Sequence, residues 1–159
     1  MKSIFIAVMA TATLALTGCA ASGPAFQEAA SAPAGKALVY IYRPSGFVLA
    51  ARDAHFFIDG QPLVDLSNNG YTQTYLSEGR HQIMEQWSSF SLFEALPGVP
   101  VQKVELPLDV KSGEVYYFRF STGGGQSVAP GITLAWRLER VMPQQGAAEI
   151  TLTKYQPAK

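Results

Sequence analysis

The chain has almost no cysteine: one, at position 19, in 159 residues. A single thiol cannot close a disulfide within the chain or supply a cluster of thiolate metal ligands. Excess charge is also missing. Twelve Lys and Arg balance twelve Asp and Glu, and the basic residues are scattered singly. Nucleic-acid binding therefore has no electrostatic footprint, because phosphate contacts need clustered Lys and Arg. Attraction to anionic headgroups is not implied either. Only two histidines occur, His55 and His81. Zinc centres gather three or four convergent ligands, so no metal site is expected. No apolar run reaches the roughly 20 residues that a membrane-spanning helix needs. There is no Gly-x-Ser-x-Gly elbow. Gly123-Gly124-Gly125 lacks the Lys-Ser or Lys-Thr of a phosphate loop, and the residues after it read as strand.

What is present starts at the first residues. Met1-Lys2, an apolar run from Ile4 to Leu16, and then Leu16-Thr17-Gly18-Cys19 give a charged start, a hydrophobic segment and small residues at a cut site. That order is an export signal. The four residues ending at Cys19 resemble a bacterial lipobox, which implies cleavage after residue 18 and acylation of Cys19. Resemblance to bacterial lipoproteins implies a diacylglyceryl group on the sulfur and usually a third chain on the amine. Ala20, rather than aspartate, follows the cysteine. By the same resemblance this favours the outer membrane, with the domain on its periplasmic face. One acyl chain binds weakly, at about 0.8 kcal/mol per buried methylene, but two or three make release negligible. An acylated Cys19 leaves no free thiol for metal, disulfide or nucleophile. No cofactor is expected beyond this covalent lipid. The alternative is an ordinary signal peptide with a chance cysteine.

Residues 1–18 are thus expected to be a cleaved signal, and residues 19–35 the lipidated cysteine and a flexible tether. Ala20 to Gly35 is rich in Ala, Ser, Gly and Pro, with Phe26 its one large apolar residue. Such composition predicts a flexible coil spanning roughly 20–25 Å; a short helix over Phe26 to Ala32 is the alternative. Residues 36–159 have the size of one domain.

From Lys36 the pattern turns to strand. Ala37 to Tyr42 is dense in β-branched and aromatic residues. Strands are also predicted over His55–Ile58, Pro62–Leu66, Tyr71–Leu76, His81–Trp87, Val101–Val110, Val115–Phe120 and Ile132–Val141. Asp59-Gly60, Asn68-Asn69-Gly70, Glu78-Gly79 and Lys111 to Glu114 supply the turns. The tail after Pro143 suits a short helix or an edge strand. About seven or eight short strands with these turns predict an all-β, antiparallel sandwich. A closed barrel is the alternative; the turns are too closely spaced for a barrel that spans a bilayer.

Leu38-Val39-Tyr40-Ile41-Tyr42-Arg43-Pro44, Phe57-Ile58-Asp59-Gly60, Asn69-Gly70-Tyr71 and Leu76-Ser77-Glu78-Gly79-Arg80-His81 occur in that order. Together they resemble the bacterial lipoprotein family known as domain of unknown function 2846. The last segment also resembles PEGA-type surface modules, which are small transthyretin-like sandwiches. Ser77 and Pro62 depart from that pattern, and both touch turns. The resemblance implies a sandwich and a lipid anchor, and it brings no catalytic residue.

Candidate chemistry is thin. A catalytic or metal role for His55 or His81 needs convergence with Asp53, Asp59 or Glu85. Along one strand, His55 and Asp59 would stand about 13 Å apart. The plainer role for His81 is to open a strand and bond a backbone carbonyl. Arg43 fits a structural role, closing a strand end against a carboxylate. Trp87, Phe90 and Phe93, with Leu92 and Leu96, make the stretch from Trp87 to Pro100 the candidate interaction loop; alternatively these rings plug an open end of the sandwich. The sequence thus predicts a membrane-anchored periplasmic binding or scaffolding module with no catalytic activity. It would hold the membrane through lipid and an envelope protein through its loops or edges. An envelope hydrolase with a site near His55 and His81, and a carrier holding a small ligand between the sheets, are the competing functions.

Overall fold

Ala37 to Tyr42 has no polar alternation, and a strand of that kind needs cover on both faces. The computed structural model, which describes residues 20–87, 103–123, 127–129, 132–133 and 136–159, provides it. Residues 1–18, Cys19, Phe90 and Phe93 lie outside the described residues. Strand β1 (Lys36–Arg43) is central in a five-stranded sheet. Its Ala37, Val39 and Ile41 face one hydrophobic cluster, while Leu38, Tyr40 and Tyr42 face another.

The first cluster is the core of the sandwich. It lies between the five-stranded sheet and a four-stranded one built from β2 (Ala54–Ile58), β3 (Gln61–Leu66), β5 (Gly79–Trp87) and β6 (Lys103–Val110), in the order β3-β2-β5-β6. The five-stranded sheet runs β10 (Trp136–Val141), β7 (Val115–Thr122), β1, β4 (Gly70–Ser77), β11 (Lys154–Tyr155). Period-two alternation sends Ala54, Phe56, Ile58, Ile83 and Trp87 inward onto Val39, Ile41, Phe118 and Phe120. Each Val, Ile or Phe among them, fully buried, contributes roughly 1.5–3 kcal/mol. The β2–β3 turn is the one that Asp59-Gly60 predicted: both residues have positive φ, 51° and 77°, which matches the twist of a tight hairpin.

The two-sheet sandwich agrees with expectation, but its strand directions are not all antiparallel. The four-stranded sheet is antiparallel throughout. In the other, β1 runs parallel to β7, and β4 parallel to β11. These pairs join residues distant in the chain, so no hairpin signal announces them. The strand predicted over Ile132–Val141 is divided. β9 (Ile132–Thr133) pairs with β8 (Ser127–Ala129) in a separate ribbon, and β10 begins at Trp136. The tail forms both elements considered for it: helix α1 (Pro143–Ile150), then β11. Pro143 at the first helical turn suits the helix, because its missing N–H has no partner to lose.

The second cluster explains where the expected tether goes. Residues 20–35 are neither a free coil nor a helix; they lie as an extended strap on the outer face of the five-stranded sheet. Phe26 packs edge-on to Tyr40 and Tyr71, with centroids 5.7 and 5.2 Å away. The Ala29 amide donates to the Tyr40 hydroxyl at 2.9 Å, and the Tyr75 hydroxyl to the Ala30 carbonyl at 3.0 Å. Residue composition counted only the apolar groups the segment carries. It did not count the tyrosine face of β1 and β4, which the strap covers.

Helix α1 covers the rest of that face. Gly146 sits directly on Tyr117, so close that a Cβ at position 146 would overlap the ring. Arg119 then holds the helix by charge. It bonds Glu139 through Nη2 at 2.6 Å and Glu149 through Nη1 at 2.9 Å, while the Tyr42 hydroxyl donates to Glu149 at 2.6 Å.

Candidate functional site

The two histidines do not meet. In the β2–β5 register His55 stands opposite Gln86, five residues from His81, or about 17 Å along an extended strand. Each is closed in its own pair. His81 opens β5 and places Nδ1 2.6 Å from Asp59 Oδ2 and Nε2 2.9 Å from the Ser77 carbonyl. Both partners accept, so the ring donates from both nitrogens, as an imidazolium does. Burial pulls the His81 pKa down, but these hydrogen bonds outweigh it and the net shift is upward. Asp59 is held below the usual carboxylate range, chiefly by the same bond. Its other oxygen accepts from the Gln82 amide at 2.9 Å. The group thus pins the β2–β3 turn to β5, which includes the carbonyl bond expected of His81.

His55 Nδ1 lies 2.5 Å from Asp65 Oδ1 across the β2–β3 ladder, and Lys159 Nζ donates to the same oxygen at 2.8 Å. Burial raises Asp65, but the bonds from Lys159 and His55 prevail and its pKa is lowered. Among the described residues no three His, Cys, Asp or Glu side chains gather as metal ligands would.

The unusual chemistry is inside the sandwich. Glu85 is fully buried and Arg43 is 1 % exposed. Arg43 ends β1 and reaches across to the backbone. Nη1 donates to the Arg52 carbonyl at 2.6 Å and to the Leu66 carbonyl at 3.3 Å, and Nη2 donates to the Leu49 carbonyl at 2.7 Å. It therefore braces the loop between β1 and β2 through carbonyls, not through the carboxylate that its position suggested. Its guanidinium lies 5.5 Å from the Trp87 ring and 6.0 Å from Phe120, within cation–π range. Trp87 itself packs on Phe120 and Trp136 and is buried. The rest of the candidate loop, Phe90 and Phe93 included, lies outside the described residues.

Neither carboxyl oxygen of Glu85 has a hydrogen-bond partner among the described residues, and neither do the Trp87 and Trp136 indole nitrogens or Arg43 Nε. Trp136 lies near Glu85 but out of hydrogen-bond geometry. Burial pushes the Glu85 carboxyl up to about 8, against the opposing pull of Arg43. A pKa near 8 makes the protonated carboxyl the prevailing form at neutral pH. Sequence reasoning considered Glu85 only as a partner of a histidine in a catalytic or metal site. Parity carried the better signal, since Ile83, Glu85 and Trp87 alternate on one side of β5.

Between the sheets the described core side chains form one hydrophobic cluster. A groove of about 240 Å³ lies on the outer face of the five-stranded sheet, between the strap and β4, and is lined by Gln27, Glu28, Tyr71, Gln73 and Tyr155 among others.

Strand β1 with Arg43-Pro44, the Asp59-Gly60 turn, the Asn69-Gly70 turn and the His81 pin all fall within one span of the sequence. Residues 33–131, more than half of the chain, match the profile of the family described as protein of unknown function (DUF2846). The chain belongs to the DUF2846 family. The DUF2846 match takes in β1 to β8 and ends before β10, α1 and β11, and it begins inside the strap. The braced Arg43, the buried Glu85 and the His81 pin are therefore inside the family domain. Trp136 and most of the outer-face cover are outside it. No curated protein matches the chain.

Proposed function

We propose that this DUF2846 chain is a lipid-anchored module of the bacterial envelope. Acyl chains on Cys19 hold it to the outer membrane, and the sandwich acts there by binding or scaffolding rather than by catalysis. The observation that carries the reading is the order charged start, apolar run and Leu16-Thr17-Gly18-Cys19. Confinement to a surface raises the effective concentration of weak contacts, so a small domain suffices. The separation of His55 from His81, each with its own aspartate, speaks against a hydrolase that needs both. Strand addition is disfavoured at β6, whose edge position carries Pro107 and the exposed Lys103, Glu105 and Asp109. Contact through loops is the better mode. Metabolic labelling with palmitate tests the anchor. Label should enter the parent chain, and Cys19→Ser should carry none and leave the membrane fraction. A parent chain without label, or a Cys19→Ser chain that still sediments fully with envelopes, overturns the reading.

A further inference from the structure

We propose that the end of the sandwich bearing Phe47 rests on the lipid surface, so that the domain is held in one orientation instead of swinging on a coil. The inference rests on acylation of Cys19 and deepens that reading. Ala20, the covalent neighbour of Cys19, forms a bridge with Asn68, and the Ala21 amide donates to the Asn68 carbonyl at 2.8 Å. Consecutive Cα atoms are about 3.8 Å apart, so the lipid leaves the domain beside the β3–β4 turn. The Asn68 side chain accepts from the Gly46 amide at 3.0 Å. The next residue, Phe47, is 97 % exposed, the most exposed large hydrophobic among the described residues. On the other side of the turn, the Lys154 amide donates to the Asn69 carbonyl at 2.9 Å. Two residues before Lys154 is Leu152, 77 % exposed. The two most exposed large hydrophobics among the described residues thus flank the point where the acyl chains depart.

Phe47 is presented by a braced loop. The Val48 carbonyl accepts from Thr122 Oγ1 at 2.7 Å, and the Leu49 and Arg52 carbonyls accept from buried Arg43. Leu49 holds a positive φ of 57°, a conformation rare for such a side chain. The opposite end has another character. Its turns expose Glu78, Arg80, Lys111, Ser112 and Glu114, and it lies a strand away, about 23 Å at the usual rise for the length of β1. One phenylalanine and one leucine could not bind a membrane unaided. With acyl chains beside them they need only choose which face turns toward the interface, where an apolar ring is favoured over water.

The test uses the full acylated chain in phosphatidylethanolamine–phosphatidylglycerol vesicles. With Cys19 acylated, an introduced cysteine is the sole thiol, so Ser45→Cys and Ser112→Cys place an environment-sensitive fluorophore at either end. Both sites are exposed. The label at 45 should shift to the blue and be quenched by nitroxide lipids severalfold more strongly than the label at 112. Adding Phe47→Asp should abolish that difference while palmitate labelling and sedimentation with vesicles persist. Equal quenching at the two sites in a chain that carries palmitate overturns the orientation and leaves the anchor standing. Absence of palmitate overturns both.

Discussion

Replacing Glu85 with glutamine should make the protein less sensitive to alkali. In the unfolded chain this carboxyl titrates near 4.5, and in the folded chain near 8. Between those values the folded state keeps a proton that the unfolded state has released, so stability falls as pH rises. The slope is about 1.4 kcal/mol per pH unit, and the loss over the whole window reaches about 5 kcal/mol as an upper bound. Below the window both states are protonated and Glu85 contributes no slope. Above it the full cost of a buried carboxylate remains, eased by the charges of Arg43 and Arg52. A cost of this size is a large share of the roughly 5–15 kcal/mol by which ordinary domains are stable. Glu85→Gln keeps the shape and removes the titration. Unfolding in urea, followed by the emission of Trp87 and Trp136, should give similar stabilities for parent and variant at pH 5. At pH 9 the variant should be the more stable by several kcal/mol. His81 titrates in both proteins and cancels in the difference. Stability curves that run parallel from pH 5 to 9 would refute the claim that the folded chain holds a neutral Glu85.

Other outcomes rest on the remaining contacts. Gly146→Ala should push α1 off Tyr117 and cost about 1–3 kcal/mol, read as a lower melting temperature by circular dichroism. Phe26→Ala should cost about 2 kcal/mol, less than a fully buried ring, and open residues 20–35 to protease and to amide exchange at Gln27 and Ala29 before the sandwich unfolds. His81→Ala should be destabilised relative to the parent below the unfolded histidine pKa, where the raised pKa contributes fully. The gap should narrow as pH rises through the folded value, and a gap that widens with pH would contradict the imidazolium bridge to Asp59 and Ser77. Arg43→Met should leave the Leu49, Arg52 and Leu66 carbonyls without their donor and cost about 3–5 kcal/mol, measured by urea unfolding.

The β-sandwich was legible where its signals are local. Asp59-Gly60 names its turn because glycine and aspartate tolerate positive φ, and alternation along His81 to Trp87 states which residues face inward. The pairing of β1 with β7 was not legible, since a parallel neighbour is chosen by packing across the whole chain and leaves no mark at the turn. The strap was missed for a related reason. Its one phenylalanine looks too little to fold until Tyr40 and Tyr71 are known to lie uncovered beneath it. The Arg43 brace was half legible: Arg-Pro at a strand end suggests a structural cation, but the acceptors are carbonyls, which every residue carries and no sequence advertises.

The strap also clasps the other end of the chain, because the Tyr155 amide donates to the Pro24 carbonyl and Ala25 bridges Lys154. Force pulling residue 20 away from the sheet would enter through these few bonds. Such a pull should peel the strap before it strains the core, baring Tyr40 and Tyr71. The strap is thus the element expected to yield first under load.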